Sequence, residues 1–143
     1  MYAGGGDGQV ARGLAAIDVA AIPGRGGWLV RNELRDRLGA ADGGASAYRL
    51  DVRLDDQLES LGILNDDTIS RERRILRARY QLVDLATGNI LLDATAGSDA
   101  GIDVVSSEYA VIAAEQRALE NLSKEIADQI ATRVALALRS TDG

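Results

Sequence analysis

The chain has 143 residues, of which 46% are hydrophobic. A chain of this length is expected to form a single domain that buries roughly 70% of its unfolded surface. Its formal charge of −6 at pH 7 argues against general nucleic-acid binding, which usually needs a basic face. Cysteine and histidine are absent, which excludes disulfides, thiol nucleophiles, imidazole bases and the usual zinc ligands.

The composition along the chain predicts one domain with short flanking segments. Residues 1–13 are glycine-rich and have no apolar period, so we expect a flexible leader there. The domain is expected to cover residues 14–139, followed by a tail at 140–143. No run approaches the roughly 18 apolar residues of a membrane span, and there is no hydrophobic signal-peptide core.

The first predicted elements are a strand and a short helix. Leu14–Ile22 alternates apolar and polar residues and ends before Pro23, which holds its neighbour extended. The glycines of the following segment 24–27 favour a tight turn, because their spacing matches no phosphate-binding motif. Trp28–Leu38 then has the apolar period of an amphipathic helix that stops at Gly39.

Three consecutive antiparallel strands are predicted for residues 48–96. The first begins at Tyr48 and continues toward Leu58, before a polar turn at residues 65–68 that lacks the other ligands of a calcium loop. The second covers 69–85, and Gly88 suits the left-handed position of the next hairpin loop. The third begins at Ile90, and residues 102–105 extend the sheet or re-enter its edge.

The second of these strands carries a row of arginines, in a chain whose basic residues are all arginine except Lys124. Its odd positions share one polar face: Arg71, Arg73, Ile75, Arg77, Arg79 and Gln81. Its even positions from Leu76 to Leu82 can enter a core on the other face, where Arg74 also points.

From Ser107 to Arg139 the period becomes helical, with a break near 113–116 as one alternative. Ser106 or Ser107 can cap the start of this helix. The predicted fold class is therefore α+β, with two helices packed on one face of a four-stranded mixed sheet in the order β-α-β-β-β-α. The other sheet face is left open.

Two interpretations of the open face remain. Its arginines are either neutralised by acids of the preceding strand (Asp51, Asp55 and Glu59) or form an anion-binding surface. For the second interpretation we expect free guanidinium groups at the hairpin tip, where facing acids thin out: Arg71, Arg73 and Arg74.

The residues give no support for an enzyme. Asp55 and Asp56 fall on alternate faces of a strand, so they do not converge for acid-base chemistry. The serines at 106 and 107 have no base nearby in sequence. We expect no catalytic residues, no metal site and no cofactor.

Four segments, in their order along the chain, resemble a known family. They are IPGRGGWLVRNELRDRLG (22–39), YRLDVRLDDQ (48–57), ISRERRILRARYQLVD (69–84) and DATAGSDAGIDVVSSEYA (93–110). Together they resemble the LPS-assembly lipoprotein LptE family, also called rare lipoprotein B, of alphaproteobacterial type. The likeness covers about Leu14 to Arg139 and rests on the run of segments rather than on one short motif.

The resemblance implies an outer-membrane lipoprotein on the periplasmic side that plugs and helps assemble the LptD β-barrel. It also implies binding of lipopolysaccharide during its transport to the cell surface. The positions that match the family's basic residues by location are Arg71, Arg73 and Arg74, with Arg77 and Arg79 further along. Family members are anchored through a lipidated N-terminal cysteine, which this sequence lacks, so the anchor is inferred.

The residues leave a second function open, namely a periplasmic envelope module that binds a protein partner and no lipid. Lipopolysaccharide binding that depends on the arginines would separate the two. In both cases we expect no nucleic-acid partner, and membrane attachment only through the lipid anchor.

Overall fold

The structure, a computed structural model, describes residues 17–38, 46–63, 70–104 and 108–142. These residues form four strands and two helices: β1 (Ile17–Val19), α1 (Gly24–Leu38), β2 (Tyr48–Ile63), β3 (Ser70–Asp84), β4 (Ile90–Val104) and α2 (Glu108–Asp142). The predicted order β-α-β-β-β-α is confirmed. The predicted leader, the turn at 65–68 and the serine cap of the last helix lie outside the described residues.

The four strands form one mixed sheet in the order β1-β2-β3-β4. β1 pairs in parallel with β2, whereas β2, β3 and β4 pair antiparallel. The three long strands have 16, 15 and 15 residues, so the sheet is about 50 Å long at 3.3 Å per residue. α2, with 35 residues, is about as long as the sheet at 1.5 Å per residue, but α1 has only 15. The hairpin end of β2 therefore extends beyond α1.

The core lies between the sheet and the two helices. Leu76, Ala78, Tyr80 and Leu82 of β3 are buried, as their even positions predict. The helical stripe on α2 is also buried, and it consists of Leu119, Leu122, Ile126, Ile130, Val134 and Leu138. Because a helix-facing and a solvent-facing side alternate along each strand, burial of this set places the odd residues on the opposite, open face.

The structure corrects the start of α1. This helix begins at Gly24, not at Trp28, so residues 24–27 form its first turn instead of a tight turn. Gly24 has a φ of +84°, which glycine adopts without strain. Gly27 packs directly on Ile22, so a Cβ atom there would lie 2.6 Å from the Ile22 carbonyl carbon. The helix start thus depends on close packing of Gly27 against Ile22, just after β1. The glycine content of 24–27 had indicated only a turn.

The end of β4 and the continuity of α2 also differ from the sequence pattern. β4 continues through Gly97 and Gly101 to Val104, because each of these residues is held in the ladder with β3. α2 is a single helix without the break considered near 113–116. Gly88, by contrast, has the predicted left-handed conformation with a φ of +77°, and its N–H donates to the Asp84 carbonyl over 2.7 Å.

Candidate binding surface on the open sheet face

The open face is formed by the odd-numbered side chains of β2 as far as Glu59, and by those of β3 and β4. Its charged members are Arg49, Asp51, Arg53, Asp55 and Glu59 from β2, Arg71, Arg73, Arg77 and Arg79 from β3, and Asp93, Asp99 and Asp103 from β4. The strand period of two brings them to one side, and the antiparallel registers set which of them are neighbours.

Three arginines of β3 form ion pairs with aspartates of β4. Arg71 Nε lies 3.3 Å from Asp103 Oδ1, and Arg73 Nε lies 2.8 Å from Asp99 Oδ2. Arg79 Nη2 lies 3.1 Å from Asp93 Oδ2. All these side chains are solvent-exposed, so the pairs contribute little to stability, and their main effect is local neutralisation of charge.

Hydrogen bonds at the last of these pairs change the acidity of its carboxyl group. Arg79 donates to both oxygens of Asp93, and Gln81 Nε2 donates to Asp93 Oδ2 over 3.2 Å. These bonds, Arg79 first, lower the pKa of Asp93 below its ordinary value. The Asp93 carboxylate is thus held in its charged form.

The expectation of free guanidinium groups at the hairpin tip is wrong, because Arg71, Arg73 and Arg74 all have acidic partners. The acids were also expected on β2. Asp55 and Glu59 do lie across from Arg77 and Arg73 in the register, yet the ion pairs that the β3 arginines form on this face run to β4. Asp51 pairs instead with Arg49 of its own strand over 3.0 Å. Asp93, Asp99 and Asp103 all occupy odd positions of β4 and therefore lie on the same face as the arginines. This pattern could have indicated the ion-pair partners, but the prediction did not include it.

Arg74 lies on the helix side of β3, as its even position predicts, and it links the sheet to α2. Its Nε and Nη2 atoms donate to the two carboxylate oxygens of Asp56 over 3.0 and 2.7 Å. Its Nη1 donates to the Glu115 carbonyl of α2 over 3.1 Å. Arg74 and Asp56 line a cavity of about 390 Å³ between the start of α1 and α2. These contacts give Arg74 a structural role.

Glu72 lies on the same side of β3 and faces Glu115. Its Oε1 atom is buried and accepts no hydrogen bond from the described residues. Desolvation, a side-chain hydrogen bond with Glu115 and the charge of Glu115 raise the pKa of Glu72, in that order of size. Two facing carboxyl groups share a hydrogen bond only when one is protonated, which explains the direction of the shift.

Two arginines of the open face have no ion pair within the described part of the chain, namely Arg53 and Arg77. Arg53 lies directly across from Arg79 in the β2–β3 register. Arg77 lies across from Asp55, whose carboxylate instead accepts a hydrogen bond from Gln57 over 3.3 Å. Like charges directly opposite each other destabilise a sheet, so an anion bound between Arg53 and Arg79 is favoured.

Of these two arginines, Arg53 lines a shallow cleft on the open face. The cleft has a volume of about 270 Å³ and is lined by Asp51, Val52, Arg53, Arg79 and Gln81. Arg53 was on the polar side of β2 in the sequence pattern but was not recognised as a site residue. Its importance follows from the register, which places a second arginine across from it.

The described residues contain no group of three or more acidic side chains that could hold a metal ion. Neither described helix combines the length and apolar character that crossing a membrane requires. The guanidinium groups of Arg53 and Arg77 are exposed on this face, and such groups can form paired hydrogen bonds with anions.

A family model described as LptE, lipopolysaccharide-assembly, matches residues 14–134. A search of curated proteins finds no match. Among solved structures, a protein of Caulobacter crescentus described as a lipoprotein has 28% sequence identity and a TM-score of 0.74, over 92% of this chain and 96% of its own. A minor lipoprotein of Acinetobacter baumannii has 16% identity and a TM-score of 0.60, over 84% and 91%, and it supports the fold alone.

Proposed function

This chain belongs to the LptE lipopolysaccharide-assembly family, and from that premise we propose that it binds lipopolysaccharide and works with an LptD-like outer-membrane β-barrel. In this proposal the chain acts in the cell envelope as a lipoprotein, on the periplasmic side of the outer membrane. It carries out assembly and delivery without catalysing a reaction. Its membrane attachment is an N-terminal lipid.

The lipid contact is proposed for the arginines of the open face, with its centre at Arg53 of β2 and Arg77 of β3. The single observation that carries this assignment is that Arg53 and Arg77 are exposed on the open face and have no ion-pair partner in the described residues. Lipopolysaccharide carries phosphates, and a guanidinium group binds phosphate through two parallel hydrogen bonds.

The five arginines of the sequence prediction then differ in role. Arg77 stays in the proposed lipid site. Arg71, Arg73 and Arg79 each have an aspartate partner that a phosphate must replace, which reduces their net contribution. Arg74 is held by Asp56 and the Glu115 carbonyl. We therefore propose that it stabilises the contact between β3 and α2 and does not contact the lipid.

The same surface suits the proposed barrel partner. The lumen of an outer-membrane barrel is polar, and the open face presents alternating cations and anions along three strands. A chain placed in such a lumen buries little apolar surface and gains hydrogen bonds to charged groups instead. The helix-covered face supplies the rigid core behind it.

The test compares two double variants that remove the same charge from one face. Arg53→Gln with Arg77→Gln removes the unpaired arginines, and Arg71→Gln with Arg73→Gln removes two arginines that have aspartate partners. Binding of purified lipopolysaccharide is measured by titration at fixed ionic strength, after circular dichroism shows that all proteins fold alike. Since a hydrogen bond to a charged group is worth about 1.5–3 kcal/mol, we expect the first double variant to lose at least about tenfold in affinity.

The control variant is expected to lose clearly less. Equal losses in both variants would refute the assignment to Arg53 and Arg77 and leave only a general effect of charge. No binding by the unchanged chain would refute the lipid ligand and favour the protein-binding envelope module. Repeating the titration with a lipid A that lacks one phosphate shows whether the phosphate is the group recognised.

A further inference from the structure

The outer edge of β4 is held by α2 at one point near its middle. The Gly97 N–H donates to Gln129 Oε1 over 3.1 Å, and Gln129 Nε2 donates to the Gly97 carbonyl over 3.0 Å. The neighbouring Ser98 hydroxyl donates to a Glu125 carboxylate oxygen. The amide side chain of Gln129 thus occupies both backbone groups of Gly97, as a neighbouring strand would.

This contact fixes the direction of the other backbone groups of β4. In an antiparallel ladder, the N–H and C=O of one residue point to the same side, and the side alternates along the strand. Because both groups of Gly97 point away from β3, those of Asp93, Thr95, Asp99 and Gly101 do so as well. Within the described residues these outward groups form no hydrogen bond, and all four residues are exposed.

Apart from its aspartates and the contact of Gln129 with Gly97, β4 lacks the features that usually protect a sheet edge. Natural edge strands are short, or carry lysine, proline or a bulge, because an open edge is a template for another strand. β4 has 15 residues with no basic residue and no proline, and from Leu92 to Val104 it pairs with β3 without a register shift. The opposite edge strand, β1, has only 3 residues.

The charge of β4 argues against a second copy of this chain as the occupant. The charged residues of β4 are Asp93, Asp99 and Asp103, all on the open face. Antiparallel pairing of two β4 strands centred near residue 96, 98 or 101 places aspartates across from each other, which is destabilising. An incoming strand with basic side chains at alternate positions meets the opposite condition. Each of these aspartates is already paired with a β3 arginine, but a carboxylate has enough acceptor sites to bind a second cation on its outer side.

We propose that the outer edge of β4 pairs with an extended segment of the barrel partner that carries basic side chains facing Asp93, Asp99 and Asp103. This proposal rests on the proposed function, which supplies the partner. Backbone hydrogen bonds give the contact its strength, and the aspartates select the charge of the segment. Gln129 occupies the backbone groups of Gly97 near the middle of β4, so the segment pairs with β4 on one side of it, along 91–95 or along 99–103.

The experiment uses the full chain co-expressed and co-purified with the LptD-like barrel of the same genome. Thr95→Pro removes one outward N–H at an edge position, where sheets tolerate proline, and Thr95→Ala keeps that N–H as the matched control. We expect Thr95→Pro to lower recovery of the complex about tenfold and Thr95→Ala to leave it unchanged. Circular dichroism and thermal unfolding of the isolated variants check that both fold.

A second measurement does not depend on a variant. Amide hydrogen exchange resolved to single residues is compared between the free chain and the complex. The amides of Thr95, Asp99 or Gly101 are expected to exchange at least about tenfold more slowly in the complex, while the inward amides of β4 are protected in both states.

The outcomes separate the two proposals. A complex in which all the outward amides exchange as fast as in the free chain would overturn strand pairing at β4 and leave the partnership intact. A Thr95→Pro variant that is recovered like Thr95→Ala would overturn pairing along 91–95, and slow exchange at Asp99 and Gly101 would then be required for pairing along 99–103. Failure of the unchanged chain to form any complex would overturn the proposed partnership, and strand pairing with it.

Discussion

Replacing Gly27 of α1 by alanine should destabilise the fold, whereas the same replacement at Gly26 should stabilise it. A Cβ atom at Gly27 would lie 2.6 Å from the carbonyl carbon of Ile22 and 2.8 Å from its Cγ2. A Cβ atom at Gly26 would lie 3.5 Å from Leu119 Cδ1 and 3.7 Å from Leu54 Cδ1, which is ordinary van der Waals contact. The two sites are adjacent in one helix, so each is a control for the other.

The magnitudes follow from helix propensity and packing. Alanine is favoured over glycine in a helix by about 0.5–1 kcal/mol, and both variants gain this amount. At Gly27 the new methyl group meets backbone, which cannot rotate away, and overpacking of this kind costs about 1–3 kcal/mol or more. We therefore expect Gly26→Ala to be more stable than the natural chain by up to about 1 kcal/mol. Gly27→Ala should be less stable by about 1–2 kcal/mol.

Thermal and urea unfolding followed by far-ultraviolet circular dichroism measure both changes. At about 3–4 °C per kcal/mol for a chain of this size, the Tm should rise by about 3 °C for Gly26→Ala and fall by about 3–8 °C for Gly27→Ala. A Gly27→Ala variant as stable as Gly26→Ala would refute the argument that the contact with Ile22 requires glycine at the start of α1.

Two further predictions concern buried polar atoms. The raised pKa of Glu72 means that the folded state binds more protons than the unfolded state just above the ordinary value of 4.5, so this group makes stability fall as pH rises through that window. Glu72→Gln should therefore be more stable than the natural chain at pH 7, and the difference should be smaller at pH 4. Urea unfolding at both pH values measures this difference, and a larger difference at pH 4 would contradict the raised pKa. The hydroxyl of Ser123 is fully buried and has no hydrogen-bond partner in the described residues. Ser123→Ala should raise the free energy of unfolding by about 1 kcal/mol, because an unsatisfied buried hydroxyl is lost, and a decrease would show that the hydroxyl is bonded.

The family and the layer arrangement were accessible from the sequence because both depend on local patterns. The period of two along β3 predicts that Leu76 and Tyr80 are buried and that Arg77 and Arg79 are exposed, as observed. The helical period from Leu119 to Leu138 likewise predicts the buried stripe of α2. The period of a strand or helix follows from backbone geometry alone, so the buried face can be predicted without knowing the tertiary contacts.

Which acid neutralises which arginine at the candidate site was beyond the reach of these patterns. Whether Arg73 or Arg53 has an acidic partner depends on two registers that join residues far apart in sequence, and a small shift in either register changes the pairs. The sequence alone therefore determined which face the arginines occupy. Only the tertiary structure decided which of them are free to bind an anion, because cross-strand register is set by the packing of the whole sheet.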